Sequence, residues 1–190
     1  TTKELQRIQK ELPAGPQQRM QKLIARGVTP ENAKIIASDL YVADFFDSIK
    51  SVDPIFLSKW IRKELLHLVN ISKKDFCDIP VSHHRLQELI GLLEKNSITN
   101  EVGRKILEQL FEKDFSPKEY VATQRLMMMT DQAELEYLCQ QAIKENPQAV
   151  QDYKNGKEIA INAVVGWVMK QTKGTANPEK VKEIIQKFLQ

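Results

Sequence analysis

Apolar residues recur along this chain at intervals of three and four. Ile55, Phe56, Trp60, Ile61, Leu65, Leu66 and Val69 follow Asp53, and Leu86, Leu89, Ile90 and Leu93 follow Ser82. Val102, Ile106, Leu107, Leu110 and Phe111 follow Thr99, and Leu135, Leu138, Cys139 and Ile143 follow Thr130. Val181, Ile184, Ile185, Phe188 and Leu189 close the chain. Each run predicts an amphipathic helix whose stripe needs a neighbouring helix to cover it. Strand-type alternation is nearly absent, so the pattern predicts an all-α fold.

The helix starts share one format, a small polar residue followed by proline: Thr29-Pro30, Asp53-Pro54, Ser116-Pro117, Asn146-Pro147 and Asn177-Pro178. The polar side chain can accept from a first-turn amide, and proline at the first helical position gives up a donor that had no partner. The starts predict a multi-helix bundle of short helices with sharp turns. Residues 70 to 82 lack periodicity and read as a surface loop. Residues 122 to 130 read as a joint between two subdomains. Met127, Met128 and Met129 cannot all face one way on a helix, so they read as filling near a seam, with a Met-rich partner groove as the alternative.

Composition permits one sizeable domain or two small ones, since 42% of the 190 residues are apolar. No run of 18 apolar residues occurs, and no membrane span is expected. The opening "TTKEL" lacks a Met and reads as the edge of a longer protein. Cys77 and Cys139 stand far apart without a CxxC partner, which fits a reducing compartment. Net charge is only +3, yet it is unevenly placed. Lys3, Arg7, Lys10, Arg19, Lys22 and Arg26 face only Glu4 and Glu11 in the first 30 residues, and six lysines face three glutamates from residue 156 onward. Such asymmetry suits an anionic partner or, equally, two solvated faces.

Catalytic signatures are missing. No GxSxG, GxxxxGK[ST] or GxGxxG occurs. Cys77, His83 and His84 are the one tempting metal cluster, but adjacent histidines on a helix diverge by about 100° and a fourth ligand is lacking. They read as first-turn histidines after the cap Ser82, and His67 as a helix-edge histidine. The sequence thus offers no catalytic residue and no metal site.

The stretch "MKQTKGTANPEK", residues 169 to 180, carries the most chemistry. A largely apolar helix, roughly 157 to 173, precedes it, and Gly166 within that helix suggests close approach by a second helix. Gly174 can take the left-handed conformation that ends a helix, and Asn177-Pro178 restarts one within three residues, predicting a terminal helical hairpin. Lys170 and Lys173 stand on the incoming side, Lys180 and Lys182 on the outgoing side. With Thr175, Asn177 and the free amides of the last helix start, they form a candidate phosphate-contacting corner. A basic, well-capped turn without a ligand fits the same residues. No aromatic interleaves the lysines, so backbone recognition of a folded RNA fits better than base stacking.

The run "VVGWVMKQTKGTANPEKVKEIIQKFL" resembles the C-terminal signature of the B subunit (GatB) of the tRNA-dependent Asp/Glu amidotransferase, whose tail belongs to the YqeY-like domains. Upstream, "DQAELEYLCQQAI", "ENPQAVQDYKNGKEIA", "NAKIIASDLYVADFFDSI" and "IQKELPAGPQQR" are similar to family segments in the same order. The resemblance implies a helical domain over residues 1–122 and a YqeY-like tail over 123–190. It implies that the parent enzyme converts Glu-tRNA(Gln) or Asp-tRNA(Asn) to the amide form with ATP and glutamine. The ATP- and magnesium-binding cradle domain lies outside this sequence, so no cofactor is expected here, and the glutaminase belongs to a separate A subunit. The expected partners are tRNA, held by its outer corner, and the other amidotransferase subunits. The expected location is the cytoplasm, or a mitochondrion or plastid in a eukaryote.

Carried onto this chain, Lys170, Lys173, Gly174 and Asn177 match the signature. The chain departs from it at Thr175, where a basic residue is common, at Trp167, often Gln, and at His83 and His84, usually Pro-Glu. Two alternatives remain: a protein–protein module using the methionine seam, and a YqeY-like protein without tRNA binding.

Overall fold

A computed structural model of the chain describes residues 15–189. The basic positions Lys3, Arg7 and Lys10 and most of "IQKELPAGPQQR" lie outside the described residues. Among the described residues every regular element is helical. The elements are α1 (Pro16–Ala25), α2 (Pro30–Ser38), α3 (Leu40–Ser48), α4 (Pro54–Trp60), a π turn (Ile61–Leu65), α5 (Leu66–Ser72), α6 (His83–Glu94), α7 (Asn100–Leu110), α8 (Pro117–Gln124), α9 (Gln132–Glu145), α10 (Pro147–Lys154), α11 (Ile161–Gln171) and α12 (Pro178–Leu189). Short 3-10 turns occupy Phe76–Asp78 and Glu158–Ala160.

All five polar-proline pairs begin helices. Thr29 accepts from the Asn32 amide, Asp53 from Ile55 and Phe56, Ser116 from Glu119, and Asn177 from Glu179 and Lys180. Asn146 is the exception: its amide group donates to the Ala142 carbonyl instead, serving the helix it follows. Before α9 the cap is Asp131 rather than Thr130, with its carboxylate accepting from Ala133 and Glu134.

The chain divides into two compact units. One runs through Gly91 and takes in Leu110–Asp114; the other comprises Leu92–Gln109 and the chain from Phe115 onward. The division expected at 122 to 123 thus falls inside α8 and inside the second unit. In the first unit α2 packs on α1, α3, α4 and the π turn. Buried residues Leu57, Ile61, Leu65 and Val69 stand four apart. On an ideal α-helix that spacing drifts about 40° per step, and the wider π turn takes up the drift. Buried Asn32 donates to Ser58 at 3.2 Å and accepts from Arg62 at 3.0 Å, and Arg62 pairs with Glu31 at 2.7 Å. The expected 70–82 loop is pinned at Phe76, whose ring meets Phe45 edge-on at 5.4 Å, and at buried Val81.

The second unit centres on α9, α11 and α12, which pack on one another around Leu135, Cys139, Ala142, Ile161, Val164, Val168, Val181 and Ile185. The helix expected from 157 begins at Ile161, because a 3-10 turn over Glu158–Ala160 leaves Ile159 82% exposed. The close approach expected at Gly166 is not found: the glycine is exposed, with nothing within 4 Å of where a Cβ would stand. No described helix is long and apolar enough to cross a membrane.

Candidate nucleic-acid interface

The α11–α12 connection, residues 172 to 177, is held atom by atom. After Gln171 the backbone turns left-handed at Lys173 (φ 54°) and stays so at Gly174 (φ 87°). The Gly174 amide donates to the Met169 carbonyl at 2.8 Å and the Lys173 amide to Lys170 at 3.2 Å. This paired closure satisfies carbonyls that the helix end leaves without partners. Lys173, not glycine, is therefore the first left-handed residue, as Lys73, Asn96 and Arg125 are elsewhere among the described residues, and its surroundings fix it there.

Those surroundings are hydroxyls. Thr172 Oγ1 donates to Val168 at 3.0 Å, and Thr175 Oγ1 donates to Thr172 at 2.7 Å. Thr99, at the start of α7, donates to the Gly174 carbonyl and accepts from the Val102 amide at 3.2 Å. The Met129 amide donates to the Thr175 carbonyl at 3.0 Å, and the Met128 amide to Ser97 at 2.8 Å. The methionine segment is thus an ordered strap within the second unit, with Met129 packed on its core and Met127 exposed.

This geometry sorts the predicted residues. Lys170, Lys173, Lys180 and Lys182 are exposed, and among the described residues none forms an ion pair. Lys170 and Lys173 share the closing turn of α11. Lys180 and Lys182 flank buried Val181 and diverge around α12 by about 200°, so they do not share one face. Gly174 and Thr175 are buried, and the Thr175 hydroxyl is spent on Thr172.

The free amides expected at the start of α12 are not free. Pro178 has none, and those of Glu179 and Lys180 donate to Asn177 Oδ1 at 2.9 and 3.3 Å. Glu179 adds an acidic group in the same turn. The start of α12 is satisfied from within, so the cationic side chains are what the corner presents.

Sequence reasoning read α7 as a helix but not as a neighbour of the turn. Glu101 packs against Gly174 so closely that a Cβ there would stand 2.9 Å from Glu101 Cδ. Glu101 pairs with Lys105 at 2.8 Å, and Lys105 Nζ lies 3.5 Å from the Lys173 carbonyl. The roughly seventy residues separating α7 from the hairpin hid this, though Thr99 itself was legible as a helix cap.

Elsewhere, Cys77 and His83 line one shallow depression with Asp44, but no group of three His, Cys, Asp or Glu side chains able to hold a metal occurs among the described residues. His84 lies 3.8 Å from Glu88 on the exposed first turn of α6.

What the fold and this corner define is a helical module in which a turn held by threonine hydroxyls presents Lys170 and Lys173. A family model described as the GatB domain matches residues 44–189, and the chain belongs to that family. It is 32% identical over 96% of its length to the B subunit of the aspartyl/glutamyl-tRNA(Asn/Gln) amidotransferase of Carboxydothermus hydrogenoformans. It is 34% identical over 96% to the corresponding protein of Caldanaerobacter subterraneus subsp. tengcongensis, and 33% identical over 94% to that of Methanothermobacter thermautotrophicus. The chain spans only 38%, 39% and 40% of the length of these three relatives.

Proposed function

We propose that this chain is the tRNA-holding part of the B subunit of an aspartyl/glutamyl-tRNA amidotransferase, with the other amidotransferase subunits as its protein partners. The observation that carries the reading is the turn at Lys170 and Lys173: two exposed, unpaired ammonium groups on a segment whose backbone is fixed by hydrogen bonds. Pre-ordered cations lose less freedom when they meet phosphate oxygens than cations on a loose loop. Lys180 extends the same corner, while Lys182 serves a different side of α12. Gly174, Thr175 and Asn177 shape the turn rather than touch RNA. The chemistry of amide transfer belongs to other parts of the assembly, and this chain positions the substrate.

The competing docking reading through the methionine strap gains little support, because Met128 and Met129 bond by their backbones inside the second unit and only Met127 is exposed. The test is binding of the chain to tRNA(Gln), tRNA(Asn) and a non-cognate tRNA across a salt series. Phosphate contacts release counterions, so affinity should fall steeply with salt, and replacing Lys170 and Lys173 together by Gln should lower the slope by about one per lost contact. An unchanged slope and affinity in that double variant removes this corner from the interface.

A further inference from the structure

We propose that Lys105 of α7 is a further phosphate-contacting cation of this corner, and that Glu101 is the counter-charge an incoming phosphate displaces; the inference rests on the tRNA-holding reading above.

An exposed Glu–Lys pair four apart on a helix is ordinary and contributes little by itself. This one differs in what it lies against. Glu101 fills the space beside Gly174, so that a Cβ there would stand 2.9 Å from its Cδ and the carboxylate would have to shift. The same carboxylate holds Lys105 Nζ at 2.8 Å, and that ammonium lies 3.5 Å from the carbonyl oxygen of left-handed Lys173. The pair is therefore part of the rim of the turn. Lys105 is about half exposed at 53%, and Glu101 is 39% exposed, so both groups are within reach of a ligand.

Three of the ammonium's hydrogens can donate, and here they meet one carboxylate and one distant carbonyl. A phosphodiester oxygen arriving at Lys173 would find the Lys105 ammonium beside it. It would also meet repulsion from Glu101. Exchange of one anion for another at Lys105 costs little, because the existing pair is solvated and weak. The carboxylate thus lowers polyanion affinity and keeps Lys105 ordered until a phosphate takes its place.

The experiment uses the full 190-residue chain and a tRNA(Gln) transcript over a salt series, with four variants beside the Lys170/Lys173 double variant. Glu101→Gln keeps the packing against Gly174 and removes the charge; it should tighten binding about threefold to tenfold near 0.1 M salt, where screening is partial. Lys105→Gln should weaken binding by a similar factor and lower the salt slope by about one, and Lys105→Arg should bind like the parent. In the double variant Glu101→Gln/Lys105→Gln the gain should vanish. If Glu101→Gln gains equally with or without Lys105, Glu101 acts only as general surface charge and the inference fails. It also fails if Lys105→Gln binds like the parent while the Lys170/Lys173 double variant does not, an outcome that leaves the tRNA-holding reading standing. Absence of tRNA binding by the parent chain overturns both. Lys105 is exposed, so its variants keep the question answerable if Glu101→Gln folds poorly.

Discussion

In the unit that runs through Gly91, polar side chains bond to one another from the interior outward: buried Asn32 to Ser58, and half-buried Arg62 to Asn32 and to exposed Glu31. In the other unit, Thr99, Thr172 and Thr175 spend their hydroxyls on main-chain carbonyls between Val168 and Gly174. The first arrangement fixes helix against helix. The second fixes the path of a few non-helical residues, and two of those, Lys173 and Gly174, take a left-handed backbone. Polar groups buried in a core must be satisfied wherever they are; placing three threonines around one surface turn is a commitment to the shape of that turn. The difference teaches where to look for function: where polar side chains hold backbone that carries exposed, unpaired charge.

The comparison can be broken in order of effect. Leu65→Ala, at a fully buried site in the π turn, should cost about 2–5 kcal/mol of unfolding free energy by urea titration, through lost burial and the cavity left behind. Its amide exchange should quicken in α4 and α5 and leave the α11–α12 turn protected. Asn32→Ala should cost about 1–3 kcal/mol, since it strips a partner from both Ser58 and Arg62. An Asn32→Ala variant as stable as the parent would mean that the first unit's polar network is ornamental.

Gly174→Ala sharpens the other side. The new Cβ meets a left-handed backbone and the Glu101 side chain, so the variant should lose about 1–2 kcal/mol and tRNA affinity together. A loss of stability with affinity intact would separate the turn's shape from its role. A further effect, confined to alkaline solution, is on pH. Burial, with Glu136 adding, pushes the Cys139 thiol from 9.0 up to about 11. The folded state then holds this proton more tightly than the unfolded one. Its contribution is complete below about pH 9 and is lost as pH rises through about 11. Urea titrations between those values should show the decline, and Cys139→Ala should flatten it.

Much of the fold was legible because its signals are local. Proline after a capping residue marks a helix start without reference to the rest of the chain, and all five pairs did so, although Asn146 turned its side chain backward to α9. The stripes predicted burial well at Val102, Ile106 and Leu107, while the apolar helix expected from 157 gives way at exposed Ile159 to a 3-10 turn. Gly166 misled because a helical glycine carries no mark of whether anything approaches it. The lysines of the corner were visible as a cluster. What holds them was not: Thr175 reads as a surface hydroxyl and is buried, and Thr99, Glu101 and Lys105 reach the turn only through tertiary packing.

The π turn at Ile61–Leu65 has a consequence for how the chain tolerates length changes. Removing one residue there would let the segment wind as an uninterrupted α-helix, locally the more comfortable form. An α-helical residue turns by about 100°, and the π turn spreads one extra residue over nearly the same rotation, so the lost residue and the tighter winding would cancel and Val69 would still face the interior. The π turn is thus the one place in this helix where a residue can be lost without changing which face looks inward, whereas the same deletion within α5 ahead of Val69, with the π turn kept, would swing Val69 about 100° out of the interior.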